Sequence, residues 1–331
     1  MAIVITGTGS SIPENRVSNE QLASKVDTTD EWIRSHTGIG ARRFAADGMV
    51  TSDLGVEASL VALKRAGKTA LDIDIIVVAT ASPDFFGFPS TACIIQDKLG
   101  ADNAAALDVN AGCTGFIYGI DVAASMLASA TRKTALVIGA ETLTRITDWE
   151  DRSSCVLFGD GAAAFVLEKD EESTEASGRG ILHSWLRAKG SGFKSLYLSQ
   201  PERLKTFERS GDYTKPPAIV MDGKSVYMFA VKAITDTIEA LIAESGFALE
   251  DFRWIVPHQA NARIVQAAAK RFGIKDDHIY MNIEEYANTS AASIPIALNE
   301  MVEKRLLKKG DLVLAMGFGA GLTYGGTIIR W

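Results

Sequence analysis

Short apolar runs and longer amphipathic stretches alternate along almost the whole chain. Residues 2–7, 73–79, 107–109, 134–139 and 162–167 read as buried strands. Helical spacing predicts helices over 19–26, from Asp30 to a stop near Gly38, and over 51–67. Ser18 is placed to cap the first of these. Pro89 and Ser90 open another helix through Ile94, Ile95 and Leu99, and Gly100 supplies its stop. The alternation resumes after residues 178–180. A strand is expected over 181–189, a helix over 226–245, a strand over 254–256 and a helix over 260–272, closed by Gly273. A small-residue turn feeds a helix over 288–303, and strands over 312–316 and 327–330 complete the chain. Two stretches break the pattern. Residues 8–17 read as a turn-rich loop, and polar residues 190–217 as an irregular surface excursion. Strands alternating with helices predict an α/β fold with mostly parallel, buried sheets.

Within this order, one segment carries a reactive group. Residues 107–109 form a strand, Ala111-Gly112-Cys113-Thr114-Gly115 a turn of small residues, and Phe116, Ile120, Ala123, Ala124 and Leu127 one helical face. Cys113 therefore sits where a strand becomes a helix. The unpaired N–H groups and partial positive charge of a helix N-terminus favour a thiolate.

The order also repeats. Each half has a strand, a helix, a small-residue turn into a helix (around Cys113; around Ser290), and a strand entering glycine (Gly139; Gly317). Cys113 to Gly139 spans 26 residues and Ser290 to Gly317 spans 27. Such matched spacing predicts duplicated α/β halves, 1–175 and 176–331, related by a pseudo-twofold axis. The two turns would then face each other, bringing Asn288, Thr289 and Ser290 close to Cys113. A length of 331 residues also exceeds the usual size for a single core.

Composition narrows the partners. The chain is 47% hydrophobic and 23% charged, as in soluble globular proteins, and its net charge of -7 argues against nucleic acid as the main partner. The excursion has the opposite sign: Lys189, Lys194, Arg203, Lys205, Arg209 and Lys215 outnumber Glu202, Glu208 and Asp212. No run of 18 apolar residues is present, so no membrane-spanning helix is expected. The first ten residues lack the pattern of a signal peptide. Three cysteines do not make a disulfide framework, and a reducing cytoplasm fits.

A thiol nucleophile needs partners for protons or oxyanion charge. His258 follows Val256-Pro257 at a strand end and precedes a helix. It reads either as a donor or base in a site, or as a histidine satisfying backbone groups at a turn. Asn288 reads as an N-cap for the following helix or, through the repeat, as an inward-facing amide. The run Gly317-Phe318-Gly319-Ala320-Gly321 reads as an anion nest or as backbone brought close to a developing oxyanion. Cys93, in an apolar helix, and Cys155, before Val156-Leu157-Phe158, are expected in the core. His36, His183 and His278 are expected at the surface. No Cys/His cluster has zinc spacing.

Three segments taken together are more specific than any one: Ala-Gly-Cys-Thr-Gly-Phe, Val-Pro-His-Gln-Ala-Asn and Tyr-Ala-Asn-Thr-Ser-Ala-Ala-Ser, in this order. They resemble the thiolase superfamily, and within it the initiating condensing enzymes of the β-ketoacyl-[acyl-carrier-protein] synthase III type. The resemblance covers nearly the whole chain, including Asp30-Glu31-Trp32-Ile33, Phe88-Pro89-Ser90 and Phe158-Gly159-Asp160-Gly161-Ala162. It implies a five-layered αβαβα sandwich, a homodimer, and no cofactor beyond the substrates, acyl-CoA and malonyl-ACP. Cys113 would take the acyl group, and His258 and Asn288 would assist decarboxylation of the malonyl thioester. The N–H groups of Cys113 and Ala320 would form the oxyanion hole. The resemblance further implies CoA contacts at Trp32, Arg152 and Asn261, and a Phe88 that reaches the partner subunit's acyl pocket. Acyl carrier protein would dock on Arg263, Lys270 and Arg271. Three departures stand out: His36 where arginine is common, Ala320 for a common glycine, and a bulkier Asp84-Phe85-Phe86-Gly87. Two other readings remain: a specialised condensing enzyme or acyltransferase of secondary metabolism, and a non-catalytic scaffold. The intact Cys113, His258 and Asn288 stand against the scaffold.

Overall fold

The structure, a computed structural model, describes residues 2–170, 178–199 and 217–331. In chain order the strands of the first half are β1 (Ala2–Ser11), β2 (Asn15–Ser18), β3 (Ala41–Phe44), β4 (Ile75–Ala79), β5 (Ala105–Val109), β6 (Thr134–Thr142) and β7 (Asp160–Asp170). Its helices are α1 (Asn19–Ala23), α2 (Asp30–Thr37), α3 (Thr51–Ala66), α4 (Thr91–Leu99) and α5 (Gly115–Leu127). The second half carries β8 (Gly180–Ala188), β9 (Leu196–Leu198), β10 (Ile219–Met221), β11 (Phe252–Pro257), β12 (Leu312–Gly319) and β13 (Thr323–Arg330). Its helices are α6 (Gly223–Ser245), α7 (Ala262–Phe272), α8 (Ile283–Tyr286) and α9 (Ser293–Glu303).

Two sheets share one plan. The first has the order β1-β7-β6-β4-β5 and the second β8-β13-β12-β11. In each, two parallel strands (β4 and β6; β11 and β12) are followed by two antiparallel neighbours. The counterpart of β5 shrinks to a single parallel bridge, Ile255 with Ile279. All of β4 and β6 is buried, as their β-branched, apolar sequences require for strands covered on both faces. Helices α3 and α4 cover the outer face of the first sheet, through Leu54, Ala58, Ile95 and Ile138. Helices α6 and α7 cover the second, through Ile234, Ile238, Ile264 and Leu314. Between the sheets lie α5 and α9, where Phe116, Ile120, Ile294 and Leu298 join Val77 and Val313 in one core. These are the five layers expected. Ile117 of α5, beside the face that Phe116 and Ile120 share, is buried in the same core.

The turns Gly112–Thr114 and Ser290–Ala292, which precede α5 and α9, meet at the centre. Only small residues fit there. A Cβ on Gly139 would lie 2.5 Å from the Ala291 carbonyl oxygen, and one on Gly115 would lie 3.1 Å from Ala79 Cβ.

Several expectations shift. β1 continues to Ser11 rather than ending at Gly7. Its Gly7 and Gly9 do not turn the chain; they admit α3, whose backbone oxygens at Ala62 and Ala58 lie 2.3 and 2.4 Å from where their Cβ atoms would be. Residues 15–18 form β2, paired with β3. The excursion contains a 3-10 turn (Gly190–Ser195) and a two-stranded ladder of β9 with β10. Its charged residues Arg203, Lys205, Arg209 and Lys215 lie outside the described residues. Cys93 is exposed on α4 rather than in the core. Among the described residues no helix is long and apolar enough to cross a membrane.

Replacing Gly139 by alanine should force β6 away from the Ser290–Ala292 turn. The expected loss is about 1–3 kcal/mol of unfolding free energy. Denaturant titration measures it, and an unchanged midpoint would show that the contact gives way freely.

Candidate active site

Cys113 is held by its neighbours' lack of side chains. Gly112 adopts φ +52°, a left-handed conformation that glycine takes without strain. A Cβ on Gly319 would lie 2.7 Å from Cys113 N and 3.1 Å from Sγ. The backbone after β12 can therefore close over the sulfur. The main-chain N–H groups of Cys113 and Ala320 both hydrogen-bond toward Sγ. The thiolate expected at this helix start is not what the surroundings favour. Burial pushes the Cys113 thiol up to about 12, and the negative charge of Glu141 adds to the rise. The Ser290 hydroxyl and the two N–H groups act in the opposite sense without reversing it. The resting sulfur is a neutral thiol.

His258 follows the last residue of β11 and is almost wholly buried. Its N–H bonds to the Met316 oxygen at 2.8 Å, so the end of β12 fixes the backbone. Ring Nδ1 lies 2.7 Å from Ser293 Oγ, which also accepts the Gln259 N–H at 3.3 Å. We assign the serine proton to the bond with Nδ1 and the ring proton to Nε2. Phe318 packs edge-on against the ring at 5.3 Å. Burial lowers His258 to about 3, so the imidazole is neutral. With Nδ1 bonded to Ser293, Nε2 is the ring atom left to face the cavity that His258 lines.

Asn288 caps a turn and also lines the cavity that holds Cys113. Its Oδ1 accepts the Ser290 N–H at 2.8 Å, which caps the turn before α9. Its backbone is clamped between the Leu157 oxygen and the Gly159 N–H. With Oδ1 occupied, Nδ2 is the end of the amide available to a ligand.

Cys113, His258, Asn288 and Gly319 line one cavity of about 230 Å³ together with Trp32, His36 and Asn261. The first three are buried and His36 is exposed, so the cavity runs from the surface to the thiol. Near its exposed end the His36 ring stacks on Trp32 (4.4 Å, 17°), and the Arg152 guanidinium lies over the same indole at 5.9 Å. Asp27 holds Arg152 at 3.2 Å. Asn261 caps α7 through the Arg263 N–H and donates to the His36 oxygen. A second cavity of about 560 Å³ also reaches Cys113, walled by Phe86, Leu143, Ile146, Leu198 and Ile219.

Not every expected residue converges. Phe88 is 92% exposed and lines neither cavity. Arg263, Lys270 and Arg271 stand exposed on α7, with Arg271 near Glu239 at 3.7 Å. Sequence reading missed Ser293, Phe318, the second cavity and Glu141. Only Glu141 left a signal: an acidic residue near the end of an otherwise apolar buried strand. Among the described residues no group of three or more His, Cys, Asp and Glu is placed to hold a metal ion.

The site therefore offers two separate sets of neutral donors. One, of backbone N–H groups, surrounds the sulfur. The other is His258 Nε2 with Asn288 Nδ2. Each suits an oxygen that becomes anionic in a reaction.

The sequence profile described as 3-Oxoacyl-[acyl-carrier-protein (ACP)] synthase III matches residues 107–190, and its C-terminal companion matches residues 242–331. The chain is 46% identical over 336 residues to the Beta-ketoacyl-[acyl-carrier-protein] synthase III of Caldanaerobacter subterraneus, covering 100% of this chain and 98% of that protein. It is 44% identical to the protein of that name from Xanthomonas oryzae, covering 99% and 98%. The crystal structure of 3-oxoacyl-[acyl-carrier-protein] synthase III from Aquifex aeolicus superposes with a TM-score of 0.90 at 38% identity, covering 100% of both chains. The priming β-ketosynthase of the R1128 polyketide pathway superposes equally well at 35% identity, covering 99% of this chain and 96% of that one.

Burial of neutral His258 makes the fold acid-sensitive. Its folded value of about 3 lies below the ordinary value of 6.5, so the unfolded chain takes up the proton first. The contribution is complete above about pH 6.5 and is lost as pH falls toward 3, by up to about 1.4 kcal/mol per pH unit. Thermal unfolding of His258→Gln should fall less steeply than that of the parent between pH 6.5 and 4. Parallel curves would mean that His258 is not buried neutral.

Proposed function

The chain belongs to the 3-oxoacyl-[acyl-carrier-protein] synthase III family, and on that premise we propose how its residues carry out the reaction. The activity is that of a condensing acyltransferase that starts fatty acid synthesis; the relatives do not favour the alternative in secondary metabolism. An acyl-CoA acylates Cys113, and malonyl-ACP then loses CO₂ and attacks the thioester through carbon to give 3-ketoacyl-ACP. The observation that carries this reading is the pair of neutral donors, His258 Nε2 and Asn288 Nδ2, in the same cavity as a sulfur that already has two N–H partners. The Cys113 and Ala320 N–H groups stabilise the thioester oxyanion. The His258 and Asn288 pair stabilises the enolate oxygen that decarboxylation creates. A neutral imidazole whose Nδ1 is already bonded is poorly suited to activating water and well suited to this donor role.

The remaining assignments follow the chemistry of the surfaces. Trp32, Arg152 and Asn261 line or flank the exposed end of the cavity and fit the CoA nucleotide and its pantetheine arm. His36 stands where the family commonly has arginine, and its stacking on Trp32 supplies a flat surface instead. The apolar second cavity fits the acyl chain. Phe85, Phe86 and Phe88 are all more than half exposed, and β5 is an unpaired sheet edge. Both features support a homodimer in which Phe88 enters the partner's acyl pocket. Arg263, Lys270 and Arg271 present positive charge to an acidic carrier protein. We divide the chain into 1–175, which carries the nucleophile, and 176–331, which carries His258 and Asn288. We place the enzyme in the cytoplasm, with no cofactor.

Mass spectrometry after incubation with an acyl-CoA should find the acyl group on Cys113 and none on Cys113→Ser. His258→Ala and Asn288→Ala should each slow malonyl decarboxylation by about 10²–10³-fold, the usual cost of losing one oxyanion donor. Acylation of Cys113 should suffer much less. Equal loss in both half-reactions would contradict this division of labour.

A further inference from the structure

The catalytic scheme above uses no proton acceptor for the Cys113 thiol. His258 is poorly placed for it, because Nδ1 is bonded to Ser293 and Nε2 carries the ring proton. Yet a carboxylate lies close by. Glu141, near the end of β6, has no solvent exposure. Its oxygens accept hydrogen bonds from the N–H groups of Ala81 and Ser82, the hydroxyls of Thr80 and Ser82, and the Ala291 N–H. Backbone N–H groups only donate, so this cage favours the ionised form against burial, which outweighs it and holds the carboxyl above the ordinary carboxylate range. All of these donors are neutral amides and hydroxyls.

Ser290 links this carboxylate to the sulfur. It is a buried, non-glycine residue with φ +46°, the conformation that glycine holds at the matching position in the other half, Gly112 with φ +52°. Holding serine there strains the backbone, and what serine adds is a hydroxyl. Ser290 lines the second cavity together with Cys113, its neighbour Ala291 gives its N–H to Glu141 at 3.3 Å, and its hydroxyl favours the anionic form of both groups. Meanwhile the charge of Glu141 opposes a thiolate. An anion beside a nucleophilic thiol is a handicap unless it receives the thiol's proton.

We infer that Glu141 stores the proton of Cys113 during the acylated phase of the cycle, and that the Ser290 hydroxyl carries it in both directions. In the first half-reaction Sγ attacks the acyl-CoA carbonyl. The thiol proton moves to Ser290 Oγ as the serine's own proton moves to Glu141, and the carbon–sulfur bond to CoA breaks. CoA leaves as a thiolate and takes a proton from water. In the second half-reaction the malonyl-derived carbanion attacks the thioester, and Sγ is expelled as a thiolate. It recovers the stored proton through Ser290, which restores neutral Cys113 and ionised Glu141. The cycle consumes one proton, the one CoA takes from water. Ser290, which contacts the reacting sulfur, is catalytic; Glu141 acts through it. The titratable side chains bearing on this path are Cys113, Glu141 and His258, and His258 stays neutral across the range tested below.

The inference rests on Cys113 being the acylated residue. The test is single-turnover acylation of the full chain by acyl-CoA, followed by mass spectrometry from pH 6 to 8. In the parent enzyme the proton stays inside the protein, so the rate should be flat over this range. Ser290→Gly keeps the left-handed backbone and removes the hydroxyl. It should unfold at the parent's temperature or above, yet acylate at least about tenfold more slowly at pH 7. Its rate should rise about tenfold per pH unit, because the proton must now go to solvent. Glu141→Gln should show the same slope. A Ser290→Gly enzyme with a flat profile, fast or slow, overturns the relay, as does a parent enzyme whose rate climbs with pH. Absence of acyl-Cys113 in the parent overturns the reading of the site and the relay together.

Discussion

The close approach of two backbone turns at the centre of the molecule is the constraint on which the rest depends. Each turn starts a helix that lies between the two sheets, so neither can retreat without opening the core. Gly139 admits the Ala291 carbonyl, Gly319 admits Cys113, and Gly112 admits the backbone of Ala320. Side chains at these points would collide with backbone of the other half. The chemistry is thus assembled by the same contacts that join the halves. Asn288 belongs to one turn and Cys113 to the other, and His258 is tied to the second turn through Ser293.

Depth sets the character of the chemistry. At a dry centre, charge is expensive. The histidine remains neutral, the thiol keeps its proton, and oxygens that gain charge are met by N–H dipoles already in place. Such donors need no reorientation when charge develops, which is why they act more strongly here than they would in water. The carboxyl of Glu141 at this depth is tolerated because amides and hydroxyls from both halves surround it.

Much of the fold was legible in the chain. Gly38, Gly67, Gly100 and Gly273 end helices in the left-handed conformation, and Ser18 and Ser90 cap them, as local chemistry indicated. The repeat was legible because the two halves keep matched spacing, and it pointed to Asn288 near Cys113, with which it shares a cavity. What failed were inferences that local pattern cannot decide. Gly7 and Gly9 look like a turn unless one knows that a helix lies on them. Cys93 sits among apolar residues, but periodicity does not say which side of α4 meets the sheet. The helix start at Cys113 suggested a thiolate because the opposing terms, burial and a remote carboxylate, come from other segments. The second cavity was illegible for the same reason: its walls come from eight separate stretches of chain.

Keeping the nucleophile protonated has a consequence outside catalysis. Peroxides and other oxidants attack thiolates far faster than thiols. A Cys113 that is buried and neutral between turnovers is therefore shielded from irreversible oxidation, and once acylated its sulfur is a thioester. The cysteine that an oxidant meets first is Cys93, exposed on α4. Its oxidation leaves the reacting sulfur untouched.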